Sequence, residues 1–334
     1  MRQAAKDFRF RGIARRQTVR MQQRLFFLGF LWVLAGCTSF QNRPLYREVE
    51  LQGHRGARGL MPENTWPAFA AALEHGMTVL ELDTVLTAEG ELIIHHDTDT
   101  NPALCKNENG SAIQATPIRT LKVADLKKLD CGSSGNEKFP EQKKVPGTRL
   151  MTLSEFFGKM LELEKNDAAK RGITFNIEAK FPKGVNPTET ELNLFAETLT
   201  GKVKAAGMSR RSTLQSFELK ILPLLKNRDS DIKTSALFEP TYWQGFRMYL
   251  GIGDGPRAAI IAAASDARAD IISPYKLYVN DEFVHAAHTK NLAVIPWTVN
   301  DPKEMATLLR HGVDGIISDY PDRLSAAYKA AMRE

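Results

Sequence analysis

From residue 48 onwards, short apolar runs of strand type alternate with segments in which apolar residues recur every three or four positions. The runs cover 48–53, 78–83, 173–178, 212–216, 233–237, 270–273, 292–298 and 315–318. The helical patterns lie between them, at 66–75, 153–165, 189–206, 217–225, 256–267, 281–290 and 302–311. Repeated strand-then-helix units predict a parallel sheet, because parallel neighbours need a long crossover to bring the chain back. Eight such units predict closure into a (β/α)8 TIM barrel, with an open doubly wound sheet as the alternative. Residues 98–149 break the rhythm. They hold the turn-rich Asn107-Glu108-Asn109-Gly110 and Cys131-Gly132-Ser133-Ser134-Gly135-Asn136, and read as a subdomain inserted after the second strand region. No internal repeat is evident.

The N-terminus has a different pattern. A basic stretch ending at Arg24 precedes an apolar run at 25–34 and then Leu34-Ala35-Gly36-Cys37. This is the layout of an export signal, and the run is too short to span a bilayer. Leu-Ala-Gly-Cys resembles the lipobox of bacterial lipoproteins, in which the cysteine is lipidated. The expected organisation is a signal peptide over 1–36, a tether over 37–47 and a globular domain over 48–334. The stretch ahead of Met21 is long for such a signal, which makes Met21 an alternative start. Thr38, not Asp, follows Cys37, so a lipid-anchored protein of the cell envelope, facing the periplasm or exterior, is expected, with the outer membrane preferred.

Charge supports this division. The chain of 334 residues carries a formal +6, which invites a nucleic-acid reading. Residues 1–36, however, hold eight Lys/Arg against Asp7 alone, leaving 37 basic and 38 acidic residues beyond. The domain is close to neutral, and no nucleic-acid partner is expected. Of the three cysteines, lipidation of Cys37 would leave Cys105 and Cys131. In an oxidising compartment that even pair is expected to form a disulfide.

Candidate chemistry clusters at strand ends. Gln52-Gly53-His54-Arg55-Gly56 follows the first run, and its glycines permit a tight turn that brings ligand atoms close. There His54 suits acid or base work and Arg55 a bidentate grip on phosphate, unless the segment is simply an exposed turn. In Pro62-Glu63-Asn64-Thr65, Asn64 or Thr65 is expected to cap the helix that follows, and Glu63 to support His54 or a metal. Glu81 and Asp83, at i and i+2 of an apolar strand, share one face. In a barrel that face is the interior, where a hard divalent cation would offset the cost of burying two carboxylates; pairing with lysine or solvent is the alternative. His95 and His96 face opposite ways on their run, so only one can enter the site. Glu178 and Lys180 repeat the i, i+2 device, as a further ligand and a neutraliser of phosphate or as an internal ion pair.

In this order, His54-Arg55-Gly56, Pro62-Glu63-Asn64-Thr65, Glu81-x-Asp83, His96-Asp97 and Glu178-x-Lys180 resemble the glycerophosphodiester phosphodiesterase family. Gln215-Ser216-Phe217, Ile272-Ser273-Pro274, Pro296-Trp297-Thr298-Val299-Asn300 and the run from Gly312 to Asp319 extend the likeness over about residues 50–325. The resemblance implies a TIM barrel with a variable subdomain near 98–149. It implies one divalent metal, Ca2+ or Mg2+, held by Glu81, Asp83 and Glu178. His54 and His96 would then be general base and acid, and Arg55 and Lys180 would hold phosphate. Glu63 and Asn64 would lie just behind them, and Trp297 would line the glycerol side or belong to the core. The implied activity is hydrolysis of small-molecule glycerophosphodiesters to an alcohol and sn-glycerol 3-phosphate. The rivals are a barrel enzyme that cleaves intact phospholipid and a lipoprotein that only binds phosphodiesters. No extended apolar surface stretch is evident outside the signal, which argues for soluble substrates.

Overall fold

The structure is a computed structural model that describes residues 48–250 and 256–333. The expected leader, tether and Cys37 lie outside the described residues. Among the described residues nine strands are present: β1 Glu50–Gly53, β2 Val79–Leu86, β3 Leu92–Ile94, β4 Thr174–Ala179, β5 Ser212–Ser216, β6 Lys233–Phe238, β7 Ile271–Pro274, β8 Ala293–Val294 and β9 Gly315–Ser318. All pair in parallel in the order β8-β7-β6-β5-β4-β2-β1-β9, except β3, which folds back antiparallel on β2. The two ends of that order meet. Asp314 N–H donates to Val294 O (2.8 Å) and Ile317 N–H to Pro296 O (3.0 Å), so eight parallel strands form the expected barrel, nearly closed.

The strands are buried on both faces, and the first seven residues of β2 are buried, Glu81, Asp83 and Thr84 among them. The eighth strand is shorter than its pattern predicts, Ala293–Val294 in place of 292–298. Pro296 has no N–H to give the ladder, so regular pairing stops before it. Single bonds continue beyond, from Ile295 N–H to Ile272 O (3.0 Å) and from Trp297 N–H to Pro274 O (3.2 Å).

Helices cover the outer face. Two of them open on capping boxes: Thr152 and Thr188 each pair reciprocally with a glutamate three residues on, Glu155 and Glu191. Two helices go beyond the sequence reading, Tyr242–Tyr249 and Pro321–Ala331. The main core lies between helices and sheet, with Phe69, Phe156, Phe157 and Phe175 packed ring against ring at centroid distances of 4.9–5.7 Å.

The barrel interior is divided. On one side Ile271, Ile295 and Ile317 pack together. On the other runs a chain of amides: Gln52 Nε2 donates to Glu50, Asn176 Nδ2 donates to Gln52 (2.8 Å) and Gln215 (3.1 Å), and Gln215 Nε2 donates to Glu81 (2.9 Å).

Residues 98–149 contain only short helical turns, Ile118–Thr120 and Val123–Leu126. Their few buried side chains, with Val85 and Ile93 beneath, surround a Cys105–Cys131 disulfide. Among the described residues no helix is long and apolar enough to cross a membrane. The expectation of no apolar surface fails on the helix Tyr242–Tyr249, where Tyr242 is 80%, Trp243 70% and Phe246 47% exposed.

Candidate active site

Three carboxylates meet at the C-terminal ends of neighbouring strands. Glu81 and Asp83 sit two apart on β2, and register places Asp83 beside Glu178 of β4. All three are buried, with one oxygen from each within 4.8 Å of the others. Backbone N–H of Arg55 (2.8 Å) and Nε2 of Gln215 (2.9 Å) hold Glu81. Asn64 Nδ2 donates to Asp83 (2.8 Å), and Arg55 Nε lies 3.3 Å from the same oxygen. Lys180 Nζ is 2.9 Å from Glu178 and 3.6 Å from Asp83.

Charge balance shows what this cluster lacks. Burial, reinforced by the charge of Asp83, raises the Glu81 pKa well above the usual carboxylate range. Burial likewise pushes Glu178 up to about 7, against the pull of Lys180. At Asp83 burial is outweighed by Arg55 and Lys180, and its carboxyl is held well below its ordinary value. Three acids facing two bases are therefore short of positive charge, and the deficit sits where their oxygens converge. Oxygen-only donors at this spacing fit a hard divalent cation.

Two histidines are held by the same device. His54 Nδ1 donates to Asp319 Oδ1 (2.6 Å), and Asn300 Nδ2 donates to Asp319 Oδ2 (2.8 Å). His96 Nδ1 donates to Asp97 Oδ1 (2.7 Å), and Asn101 Nδ2 donates to Asp97 Oδ2 (2.7 Å). A carboxylate can only accept, so each pair fixes a proton on Nδ1 and leaves Nε2 to take or give one. Burial lowers the His54 pKa despite Asp319, so His54 is neutral at neutral pH. Asp319 is held at about 2, where His54, Arg58 and Asn300 outweigh burial. His95 points the other way, as strand alternation requires, and its buried Nδ1 donates to Asp97 O (2.8 Å).

The loop after β1 brings these groups together through left-handed backbone at Arg55 (φ 51°), Gly56 (φ 82°) and Asn64 (φ 57°). A Cβ on Gly56 would lie 2.6 Å from the carbonyl carbon of Ala68, so no larger residue fits. The loop also bears on two expectations. Neither Asn64 nor Thr65 caps the helix Trp66–Glu74 through its side chain. Asn64 is drawn to Asp83, and the Thr65 hydroxyl donates back to Pro62 O. Of the two places expected for Glu63, beside His54 or behind the metal ligands, the contacts fit the second, through Arg55, which reaches Asp83. Glu63 pairs with Arg55 (2.6 Å) and Arg58 (2.8 Å), because buried guanidinium groups need a counter-charge.

A cavity of about 700 Å³ opens over the cluster. His54, Arg55, Glu81, His96, Glu178 and Lys180 form its polar floor, while Phe181, Phe217, Leu237 and Trp297 form an apolar wall. Trp297 is thus half-buried on the cavity, its Nε1 donating to Ser273 O (2.9 Å) and its ring edge-on to Phe217 and Tyr275. Asp319, Asn300, Gln215 and Phe217 carried no individual role in the sequence reading.

Comparison with known proteins places this site. Residues 54–323 match the model of the glycerophosphoryl diester phosphodiesterase family. The chain belongs to that family. A glycerophosphodiester phosphodiesterase from Bacillus subtilis is 29% identical over 280 residues, covering 80% of this chain and 83% of that protein. One from Caldanaerobacter subterraneus is 27% identical, covering 81% of this chain and 94% of that protein. Among solved structures, a provisionally named glycerophosphoryl diester phosphodiesterase from Silicibacter pomeroyi superposes with a TM-score of 0.74 at 26% identity, over 87% of this chain and 96% of that one. A phosphodiesterase from Oleispira antarctica, in complex with the product sn-glycerol-3-phosphate, has a TM-score of 0.62 at 20% identity, over 84% and 96% of the two chains. This glycerophosphoryl diester phosphodiesterase is therefore an enzyme of a metal-dependent family, with an acidic triad positioned for a divalent metal.

Proposed function

We propose that the protein hydrolyses glycerophosphodiesters to an alcohol and sn-glycerol 3-phosphate, with Ca2+ or Mg2+ held by Glu81, Asp83 and Glu178. The observation that carries this reading is a cluster of three buried carboxylates, two of them on the floor of a cavity that two carboxylate-oriented histidines also line. Arg55 and Lys180 against three acids leave one negative charge. A divalent cation converts this to one positive charge, the complement of a phosphodiester monoanion. When bound, the cation draws charge from the phosphate oxygens.

The protein's own groups do the rest. Arg55 and Lys180, now paired to acids, turn part of their hydrogen bonding to phosphate. His54, buried and neutral, takes the proton of the attacking hydroxyl at Nε2, and the imidazolium it becomes is stabilised by the Asp319 carboxylate, which stays ionised. His96, at the open side, enters the step with a proton on Nε2, gives it to the leaving alcohol and regains one from solvent. The attacking hydroxyl is either water or a free hydroxyl of the substrate glycerol, which would give a cyclic phosphate that water opens. Phe217 and Trp297 supply an apolar surface for the carbon face of the glycerol. The reading extends to a lipid-anchored enzyme acting in the cell envelope on phospholipid breakdown products, a place suggested by Cys37 and the leader before it.

The exposed Tyr242, Trp243 and Phe246, which follow β6 on the same end of the barrel as the cavity, favour a second reading in which the substrate stays in a lipid surface. One assay separates the two. Residues 38–334 are incubated with glycerophosphocholine, glycerophosphoethanolamine and intact phospholipid, with and without chelator. Release of sn-glycerol 3-phosphate that chelator abolishes is the expected result. Preference for intact phospholipid would replace it with the second reading, and tight binding without turnover would refute both.

A further inference from the structure

The two histidines are oriented alike but secured differently. His54 is buried in the barrel, with 10% of its side chain exposed, whereas His96 has 32% exposed and stands on a loop. The orientation of His96 must come from the arm behind it. Asp97 takes its Nδ1–H, and Asn101 Nδ2 donates to the other Asp97 oxygen at 2.7 Å. The carbonyl of Asn101 in turn accepts from the backbone N–H of Cys105 (2.9 Å) and of Leu104 (3.1 Å).

Cys105 is bonded to Cys131. Their neighbours Lys106 and Asp130 exchange both backbone hydrogen bonds, at 2.8 and 2.9 Å, and Cys131 N–H donates to Thr148 O (2.9 Å). Both cysteines are buried, and together with Asn64, His95 and His96 they line a second cavity of about 20 Å³ directly behind the site. Three hydrogen bonds therefore lead from the disulfide to the imidazole. The apolar cluster around the disulfide is small, and small cores usually depend on a covalent staple.

We propose that Asn101 is a positioning residue for His96, and that the Cys105–Cys131 disulfide is the anchor that fixes Asn101, so that the 98–149 insertion sets the proton donor. The inference rests on the assignment of His96 as general acid. A general acid matters in proportion to how badly the leaving group needs a proton, and this makes a test that plain structural damage would not pass.

Asn101→Ala and the double variant Cys105→Ser/Cys131→Ser are assayed against glycerophosphocholine, whose alkoxide must be protonated. They are assayed also against the p-nitrophenyl ester of glycerol 3-phosphate, whose phenolate leaves unaided. Each variant is expected to lose about ten- to a hundredfold in kcat on the choline ester with KM little changed, the range seen when partners that orient catalytic groups are removed, and at most about threefold on the nitrophenyl ester. Wild-type enzyme treated with reductant should behave like the double variant, with a melting profile showing the barrel still folded. Equal losses on both esters, or wild-type kcat on the choline ester, would overturn the proposal. His96→Ala is the control. If it shows no leaving-group selectivity, the acid assignment has failed; if it does and the other variants do not, the positioning role has failed.

Discussion

Replacing Asp319 by Asn tests the base end of the reaction with little change in shape. In the wild type the carboxylate accepts from His54 Nδ1 (2.6 Å) and Asn300 Nδ2 (2.8 Å). Its pKa of about 2, against an ordinary 3.8, measures how strongly these neighbours favour the charge. The difference corresponds to about 2 kcal/mol of interaction with the ionised form. When His54 takes a proton, Asp319 faces a cation; in Asp319→Asn that stabilisation is gone, so kcat should fall at least about thirtyfold from charge alone. An asparagine amide can also donate to Nδ1 and hold the wrong tautomer, which extends the expected loss towards about ten-thousandfold, as found for the equivalent change in a Ser-His-Asp triad. Asp319 supports protonation of His54 against the cost of burial. Its removal must lower the His54 pKa further, so the acid limb of the pH–rate profile should move to lower pH while the plateau drops. Stability carries a matching sign. The folded pKa of Asp319 lies below its unfolded value, so its contribution is complete above about pH 4 and lost as pH falls through about 2, and the variant should lack that step. A plateau within threefold of wild type, or an acid limb that does not move, would refute the role of Asp319 and with it the choice of His54 as base.

Loss of either histidine should be as costly. His54→Ala and His96→Ala are each expected to lower kcat by about a hundred- to ten-thousandfold in steady-state assays, and near-normal turnover of either would remove it from the chemistry. A cation that binds only the folded state must raise the melting temperature with concentration; at a hundred times Kd the gain is about 2.7 kcal/mol. Calorimetry should show this rise with Ca2+ or Mg2+ for wild type and its loss in Glu178→Gln, whereas equal rises in both would move the metal elsewhere. Gly56→Ala puts a Cβ 2.6 Å from the Ala68 carbonyl carbon at φ 82°, and should cost both stability and activity. A melting temperature equal to wild type would show that the loop can relax there.

What could be read along the chain was whatever depends on period. Strand alternation alone puts Glu81 and Asp83 on one face, separates His96 from His95 and pairs Glu178 with Lys180. The eight-strand rhythm likewise leads to the barrel. What could not be read depends on where distant segments land. Asp319 meets His54 across 265 residues, and no local pattern marks an aspartate after β9 as the partner of a histidine after β1. Asn64 shows how a local rule loses to a tertiary demand: it stands where a cap is expected, but the buried Asp83 needs a donor more than the helix needs a cap. Between the two roles open to Glu63 a tertiary demand decides in the same way, since two arginines need a counter-charge. The helix Tyr242–Tyr249 had a legible start in Thr241 and Gln244, which form a capping box. It is only eight residues long and is interrupted by Gly245, a poor helix former, so the segment did not read as a helix.

The amide chain inside the barrel fixes the direction of each of its hydrogen bonds, which the symmetry of the fold would not do. Glu81 can only accept, so Gln215 must offer its nitrogen there and turn its oxygen towards Asn176. Asn176 must then give nitrogen to both neighbours, and Gln52 is left with its own nitrogen pointing at Glu50 on the far rim. Two carboxylates, Glu81 at one end and Glu50 at the other, thus orient the amides between them, with Asn176 the donor to both sides. A designer who grafts this site onto another barrel cannot carry the acids alone. The column of Gln215, Asn176 and Gln52 would have to travel with them, because an apolar lining would leave Glu81 without one of its donors and any single reversal would set oxygen against oxygen.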